Sequence, residues 1–336
     1  MSRKDRVSVV LCAYTENRWP ELVAAIDSVQ HQTLPPDEIV LVIDHNPSLL
    51  ARARQHFPGI EIMENRQPQG VSGSRNTGVA ATHGEVIAFM DEDATAAPDW
   101  LYRLSRYYDD AHVAGVGGAI EPVWSSDRPK WFPSEFDWVV GCTYRGMPES
   151  PAWVRNLIGC NMSLRREVFQ RIGGFRSGIG RVHTTPVGCE ETELCIRINQ
   201  HYRQNVLLYE PQSKVYHRVP ARRSRWRYFL SRCYAEGLSK AIVARYVGAD
   251  EGLSSERAYT LRTLPRGILR GITDVIRRRD FSGLARSAVI ITGLTLTMCG
   301  YLSGLVSLYW TNEQMASRPV SGVSPVDVIE QNDSGR

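Results

Sequence analysis

Residues 70–94 have the sequence GVSGSRNTGVAATHGEVIAFMDEDA, which is the most informative segment of the chain for its architecture. Glycine and serine open a helical pattern of small residues, and the apolar run 86–90 follows it. A short apolar run between turn-forming residues is typical of a buried strand. Asp91, Glu92 and Asp93 come directly after the run. The stretch therefore predicts a helix, then a buried strand, then a cluster of carboxylates at the carboxyl end of that strand.

The chain upstream of this stretch alternates short apolar runs with helical patterns. These predict helices at residues 21–30 and 49–56, and strands at residues 7–13, 38–44, 60–63 and 85–90. Strands separated by helices indicate a parallel sheet with right-handed crossovers. Such sheets bind ligands beyond the carboxyl ends of their strands. We therefore expect an α/β body with its site at that edge of the sheet.

The composition indicates a folded protein in a reducing compartment. Of the 336 residues, 43% are hydrophobic and 23% charged, which argues against a disordered or polytopic membrane protein. The 7 cysteines are scattered without a CxxC pair, which argues against a disulfide scaffold or a zinc ribbon. The first apolar run is too short for a signal peptide, so we expect the N-terminus to stay inside the cell.

Basic residues are concentrated towards the carboxyl end. Residues 211–290 contain 17 Lys and Arg against 6 Asp and Glu, whereas the rest of the chain is net acidic. Basic patches attract nucleic acid, anionic lipid or phosphorylated substrates. Because no nucleic-acid-binding motif is recognisable, we expect a membrane surface or a phosphate-bearing partner and no nucleic acid.

An uncharged run, residues 288–310, follows the basic segment. As a helix it is long enough to cross a hydrocarbon core of about 30 Å. Its many Thr, Ser and Gly residues suit a buried or interfacial helical hairpin equally well. If the run spans a membrane, the positive-inside rule places the body in the cytoplasm, because four arginines precede it: Arg277, Arg278, Arg279 and Arg286. The basic, aromatic stretch 221–247 predicts either a helix lying on an anionic membrane or a surface helix packed on the body.

The acids after residue 90 are candidate metal ligands. Asp91 and Asp93, spaced i and i+2 beside Glu92, offer the hard oxygen ligands that Mg²⁺ or Mn²⁺ prefers. On spacing alone, a solvated acidic turn is the better interpretation. The metal site is favoured by further motifs in a fixed order: VSVVLCAYTEN (7–17), VLVIDH (40–45), NMSLRREVFQRIGGF (161–175) and GCEETELCIR (188–197).

Together these motifs closely resemble those of family 2 glycosyltransferases of the GT-A type, over about residues 7–218. The resemblance implies a three-layer α/β/α sandwich with a mostly parallel sheet. It also implies an inverting, metal-dependent transfer from a nucleotide-sugar donor, of which UDP-sugars are the commonest in the family. A lipid-linked sugar, such as a polyprenyl-phosphate-linked one, or a surface glycan would be the acceptor, which suits the basic segment and the apolar run.

The resemblance assigns the donor pocket residue by residue. Ala13, Tyr14 and Glu16 would line the pocket of the nucleotide base, with Tyr14 stacked on the base. Asp44 would accept a hydrogen bond from the base, and Arg75 would approach the phosphates. The first four of these residues end or follow predicted strands, whereas Arg75 lies in the helical stretch before residue 85.

The same resemblance assigns the metal. Asp93 would bind Mg²⁺ or Mn²⁺ directly, and Asp91 would contact the metal or the ribose. A divalent ion neutralises the charge that develops on a diphosphate leaving group. His217 would lie near the diphosphate or the metal, although a lone histidine after an apolar stretch is as often a packed residue.

The catalytic base is expected at the acidic pair Glu190 and Glu191. The family commonly has Glu-Asp there, and the Asp takes the proton of the acceptor hydroxyl. Glu191 occupies the Asp position, but its extra methylene moves the carboxylate, so Glu190 remains an alternative. An exposed acidic helix start would explain the pair without catalysis.

Two aromatic features in the second half bear on the acceptor. Trp124, Trp131 and Trp138 offer apolar platforms for a sugar or lipid, or ordinary core packing. Residues 225–226 with Arg222 are similar to the QxxRW element of processive polysaccharide synthases. Arg222 replaces the Gln, and there is at most one candidate span, so single-sugar transfer is expected.

The predicted organisation is a glycosyltransferase domain over 1–218, with its nucleotide-sugar half at about 1–115 and its acceptor half at about 116–218. A basic helical region follows at 219–310, and a disordered tail at 311–336. We expect the protein at the cytoplasmic face of the plasma membrane, peripheral or with a single carboxyl-terminal span.

The alternatives to a glycosyltransferase are a nucleotidyltransferase and an inactive membrane scaffold. A nucleotidyltransferase would need a Gly-rich basic loop directly after the first strand, and residues 12–17 contain neither glycine nor a basic residue. An inactive membrane scaffold of the same fold would be marked by loss of the paired aspartates or the glutamate pair, and both are present.

Overall fold

The computed structural model describes residues 6–180, 188–203, 206–248, 252 and 254–316. Its strands are β1 (Val7–Ala13), β2 (Glu38–Ile43), β3 (Glu61–Glu64), β4 (Val86–Asp91), β5 (Ala94–Ala96), β6 (Gly115–Trp124), β7 (Ala152–Trp153), β8 (Asn161–Arg165) and β9 (Leu207–Val219). Its α-helices are α1 (Trp19–Gln30), α2 (Pro47–His56), α3 (Val71–Ala81), α4 (Trp100–Ser105), α5 (Arg166–Ile172), α6 (Glu190–Tyr202), α7 (Trp226–Val247), α8 (Ser254–Ala258), α9 (Leu264–Arg278) and α10 (Ser282–Ala316).

The strands form one sheet in the order β3-β2-β1-β4-β8-β6-β9-β5, with β7 added on β9. The first four strands in this order are parallel, and the predicted elements of this half agree with the structure within two residues. Cys12 pairs with Asp91, and Ala13 with Ile43, so the carboxyl ends of β1, β2 and β4 meet at one edge. This edge carries the predicted donor residues.

The second half of the sheet is mixed. β8 runs antiparallel between β4 and β6, whereas β9 runs parallel to β6. The short β5 pairs antiparallel with β9 and places Ala94 opposite His217. This pairing brings His217, distant in sequence, next to the acidic turn that joins β4 to β5.

Alternating side chains of the central strands serve two helical layers. Val9 and Leu11 are fully buried with α1, α2 and α4 on one face of the sheet. Val10 and Phe89 are buried on the other face with α5 and α6, where α3 also packs. Two apolar layers around a sheet give the predicted three-layer α/β/α body.

The carboxyl-terminal helices pack on this body. α10 lies along α7 at very close range, because a Cβ on Gly300 would overlap the carbonyl oxygen of Tyr234 and one on Gly237 would overlap that of Thr297. α7 buries Phe229 and Cys233, so residues 221–247 contribute a packed helix.

The uncharged run belongs to α10. By length and composition alone, Ser282–Ser307 is the one helix of the described ranges that could cross a membrane, with 28% of its most apolar window buried. α10 continues through residue 316, so the first six residues of the predicted disordered tail are helical. The remainder of that tail, 317–336, lies outside the described residues.

Candidate active site

Glu92 and Asp93 of the acidic turn after β4 are buried, and Asp93 lies beside two arginines and a histidine. Glu92 and Asp93 are 7% and 8% exposed, so the turn is not solvated. His217 Nε2 lies 3.2 Å from Asp93 Oδ1, and Arg18 Nη1 lies 3.2 Å from Asp93 Oδ2. Arg223 Nη2 follows at 3.6 Å from the same oxygen. The β5–β9 pairing and the loop after β1 bring the imidazole and the two guanidinium groups together.

These surroundings shift the pKa values of the adjacent Asp93 and Glu92 in opposite directions. Burial opposes ionisation of Asp93, but His217, Arg223 and Arg18 outweigh it and hold the pKa of Asp93 well below its ordinary value. Burial and the charge of Asp93 raise the pKa of Glu92 to about 7, against the effect of Arg18. Arg18 Nη1 donates to Glu92 Oε1 at 2.5 Å. Asp93 is therefore a permanent anion at physiological pH.

Three groups at this turn could hold a metal ion. One ligand atom each from Asp91, Asp93 and His217 lies within 4.8 Å of the other two. Two carboxylate oxygens and an imidazole nitrogen suit Mn²⁺ or Mg²⁺. Asp91 is the more open of the two aspartates, with 37% of its side chain exposed, which leaves room beside it for further oxygen ligands.

Arg75 connects this turn to the predicted base. Its side chain, 5% exposed, extends from α3 between two acids. Nη1 donates to Glu190 Oε1 at 2.8 Å, and Nη2 donates to Asp91 Oδ1 at 3.2 Å. A Cβ on Gly159 would lie 2.7 Å from the guanidinium, so glycine makes room for it. The predicted contact of Arg75 with phosphate remains a prediction.

The glutamate pair opens α6. Cys189 precedes it with a φ of 74°, a left-handed backbone that is uncommon outside glycine and concentrated at functional sites. Glu190 is buried against Arg75 and Glu191 is partly exposed, and both residues line one cavity. Burial and the neighbouring Glu190 raise the pKa of Glu191 to about 8, against Arg75. The pair is therefore not a solvated helix start.

The predicted base pocket lies beyond β1 and β2. Ala13 is buried in the sheet, and Tyr14 follows it with 38% exposure and the Arg18 guanidinium 5.4 Å from its ring centre. Glu16 faces α2 and accepts from Ser48 Oγ at 2.5 Å. Asp44 accepts from Asn65 Nδ2 at 2.7 Å and from Gly70 N at 3.0 Å. Asp44 thus also fixes the turn that begins α3.

A cavity of about 940 Å³ joins these groups to the carboxyl-terminal helices. At one end it is lined by Asp91 and His217, and beside them by Glu190 and Glu191. At the other end it reaches α10. The lining there is apolar and includes Leu294, Met298, Tyr301 and Leu302. The middle contains a buried ionic network of α7, α8 and the β7–β8 loop, in which Lys240 Nζ lies 2.6 Å from Glu256 Oε1.

The candidate aromatic platforms are mainly packed. Trp124 and Trp131 each contact Phe132, with ring centres 5.4 Å apart in both pairs. Trp138 lines the cavity and donates from Nε1 to the Tyr259 hydroxyl at 3.1 Å. Trp226 stacks on a neighbouring ring of α7. Of the three tryptophans, Trp138 is the one placed to meet an acceptor.

Sequence reasoning missed two of the cations around Asp93. Arg18 lies one residue beyond residues 12–17, the loop that contains no basic residue. Arg223 is buried, whereas Arg222 and Arg225 of the QxxRW-like element are exposed. In a run with four arginines at 222–227, sequence offers no signal for which one points inwards. Only the turn after β9 distinguishes them.

Comparisons with known proteins agree with this geometry. The model of glycosyl transferase family 2 matches residues 8–173. The glucosyl-dolichyl phosphate glucuronosyltransferase of Haloferax volcanii is 35% identical over 242 residues, which are 71% of this chain and 77% of that protein. The chain therefore belongs to glycosyltransferase family 2, and it is a glycosyltransferase.

Solved structures confirm the fold. The mannosyltransferase PcManGT from Pyrobaculum calidifontis, in complex with GDP-Man and Mn²⁺, is 18% identical and matches 88% of each chain with a TM-score of 0.55. GalNAc-T7, with UDP, GalNAc and Mn²⁺, is 20% identical and gives a TM-score of 0.50 over 65% of this chain and 45% of that one. The predicted GT-A α/β architecture is confirmed.

Proposed function

We propose that this chain transfers one sugar, with inversion, from a nucleotide-diphosphate donor to a lipid-linked sugar, with a surface-glycan precursor as the other acceptor class. The observation that carries the proposal is the cavity of about 940 Å³, which is lined by Asp91 and His217 at one end, by the glutamate pair beside them and by apolar residues of α10 at the other end. The acid end suits a metal-bound diphosphate, the glutamate pair suits an acceptor hydroxyl, and the apolar end suits a lipid chain.

The donor end holds charge. Asp91, Asp93 and His217 would hold Mg²⁺ or Mn²⁺, which supplies Lewis-acid stabilisation of the leaving diphosphate. Arg18 and Arg223 keep Asp93 ionised and add positive charge beside the diphosphate site. Tyr14, exposed beyond β1, would stack on the base.

Glu191 is the proposed base. Its side chain is the more exposed of the pair, and a pKa raised to about 8 makes it a stronger proton acceptor than an ordinary glutamate. Glu190 is held by Arg75 at 2.8 Å, so its role would be to position the start of α6. Attack by the acceptor oxygen on the face opposite the diphosphate would invert the anomeric centre.

The Haloferax relative supports the first substrates to test. Its name describes a glucuronosyl transfer to a dolichyl-phosphate-linked glucose. A UDP-linked uronic acid and a prenyl-phosphate-linked hexose are accordingly the proposed donor and acceptor. A lipid-linked acceptor also supports membrane association, at the cytoplasmic face where nucleotide sugars are made.

The test begins with donor binding. Thermal shift with UDP, GDP, CMP and ADP, each with and without Mn²⁺, should show stabilisation that requires one nucleotide together with the metal. Transfer from the matching sugar nucleotide to a short-chain prenyl-phosphate hexose should then give a product of inverted anomeric configuration by NMR. If no nucleotide stabilises the protein with the metal, the inactive-scaffold function replaces this one.

A further inference from the structure

α10 is attached to the catalytic body along most of its uncharged run. Gly293 contacts Phe136 and Phe229, and Gly304 contacts Ala241 further along α7. Small residues at these contacts let the two helices approach closely. If α10 crossed a bilayer in this arrangement, the charged residues of α7 would enter the hydrocarbon with it, which is costly. They are Arg227, Arg232, Glu236, Lys240 and Arg245.

The opposite side of α10 is apolar and exposed. Six exposed apolar residues lie on this side of the helix between residues 284 and 309, and they form a single stripe of about 40 Å at 1.5 Å per residue. The stripe consists of Leu284, Ile291, Met298, Leu302, Leu305 and Tyr309. A soluble monomer rarely exposes so long an apolar stripe.

α9 adds a second exposed apolar surface next to α10. The two helices pack through Gly271 and Gly283. On α9, Leu269, Ile272 and Ile276 are 62%, 40% and 75% exposed. Phe281, in the turn between the helices, is 74% exposed. None of these four residues lines the cavity.

Arginines border this apolar surface. Arg277, Arg278 and Arg279 are exposed at the end of α9, beside Phe281. An exposed apolar helix surface with adjacent arginines matches the boundary between anionic headgroups and acyl chains. The charge argues against a second copy of this chain as the occupant, because two such arginine clusters would repel each other.

We propose that the α9–α10 hairpin docks in the plane of an anionic membrane, as an interfacial element and not as a span. The inference rests on the proposed lipid-linked acceptor and adds its route of entry. Met298 and Leu302 belong both to the exposed stripe and to the cavity lining. A prenyl-linked sugar lying in the bilayer therefore reaches the glutamate pair from the membrane side of α10.

Cys299 provides a built-in depth probe. All seven cysteines lie in the described ranges, and Cys299 is the only exposed one. It also stands at the middle of residues 288–310, so a spanning helix would place it near the bilayer midplane.

A fluorophore on Cys299 in full-length protein on phosphatidylglycerol vesicles should be quenched more by lipids spin-labelled near the headgroup than by lipids labelled deep in the acyl chain. Stronger quenching by the deep label would overturn the proposal in favour of a span. Cys299→Ser should abolish labelling.

Vesicle flotation tests the surface itself. The triple variant Leu269→Ser, Ile272→Ser, Ile276→Ser should lose binding to phosphatidylglycerol vesicles by at least tenfold. The double variant Tyr102→Ser, Val123→Ser, which removes exposed apolar residues of the catalytic body, should bind like the wild type. Replacing Arg277, Arg278 and Arg279 by Ser should weaken binding by about fivefold per arginine. Equal flotation of all four proteins would overturn the docking surface.

A soluble readout separates this inference from the proposed function. The α9 triple variant should keep wild-type transfer to a water-soluble, short-chain acceptor and lose transfer to a long-chain acceptor in vesicles. Loss of both activities with an unchanged melting temperature would contradict a role confined to docking. If the wild type fails on the short-chain acceptor but still floats, the proposed function fails and the docking surface stands.

Discussion

The acid cluster after β4 and the glutamate pair at the start of α6 lie on opposite sides of Arg75, and their carboxylates behave in opposite ways. Asp93 is buried among His217, Arg18 and Arg223, so its pKa lies well below the ordinary range. Glu191 has burial and a neighbouring acid, so its pKa rises to about 8. One carboxylate is fixed as an anion, and the other can accept a proton.

The difference shows how two carboxylates of one active site can serve different chemical roles. Carboxyl groups whose environments push their pKa values apart are candidates for separate roles in catalysis. A metal ligand must be ionised at every working pH, whereas a general base works best when its pKa lies near that pH. The two clusters meet these two requirements separately.

The largest expected effect comes from removing the fixed anion. Asp93→Asn should lower turnover by about 10³-fold or more, since it removes a carboxylate that would bind the metal and that pairs with Arg18 and Arg223. Isothermal titration with Mn²⁺ should show loss of metal-dependent nucleotide binding. The circular dichroism spectrum should stay native. Unchanged nucleotide affinity in Mn²⁺ would remove Asp93 from the donor site.

Removing the proposed base has the next largest effect. Glu191→Gln should lower kcat by about 10²- to 10⁴-fold, the usual contribution of a general base, and leave donor affinity unchanged. The melting temperature should also change. Because the folded pKa of Glu191 exceeds its ordinary 4.5, ionisation destabilises the fold increasingly as pH rises from about 4.5 to 8. Glu191→Gln should therefore be more stable than the wild type at pH 9 and equal to it at pH 4.

Glu190→Gln is the matched control for this assignment. It should reduce turnover much less than Glu191→Gln. Its pH–activity profile should lie at lower pH than that of the wild type, because Glu190 helps to raise the pKa of Glu191. A loss as large as that of Glu191→Gln, with donor binding intact, would identify Glu190 as the base instead.

The two clusters also differ in how far sequence predicts them. The parallel half of the sheet, with Asp91 and Asp93 at a strand end, follows from local periodicity and motif order, and the fold class is confirmed. The approach of His217 and Arg223 to Asp93 depends on the antiparallel β5–β9 pairing, between residues more than 100 positions apart. Local patterns carry no information about such a pairing.

The surroundings of Glu191 could not be predicted from the sequence either. The Glu-Glu-x-Glu motif indicates a helix start, but the surroundings of the pair depend on the contact of Glu190 with Arg75 and on how α6 packs on α7. Arg75 was expected to face phosphate, and its pairing with Glu190 across 115 positions is tertiary. The roles of these site residues stay predictions, as do the predicted domain boundaries.

The activity of the wild type should change about tenfold with pH, and this change reports on Glu191 and not on Asp93. In the free enzyme, kcat/KM should rise with pH up to about 8 and then level off, because Glu191 must lose its proton to act as a base. The value at pH 7 should be about one tenth of the plateau. Asp93 should contribute no limb between pH 5 and 9. A profile that is flat from pH 6 to 9 would contradict the raised pKa.

The smallest expected effect tests the residue between the clusters. Arg75 lowers the pKa of Glu191, although burial and Glu190 outweigh it. Arg75→Lys keeps the charge but cannot bridge Glu190 and Asp91 with two separate nitrogens, so the charge moves away from one cluster. We expect the kcat/KM limb to move to higher pH by a fraction of a unit. The plateau should fall less than tenfold, and rescue at high pH would show that Arg75 acts through Glu191. A fall of the same size at every pH would assign Arg75 to the donor phosphates.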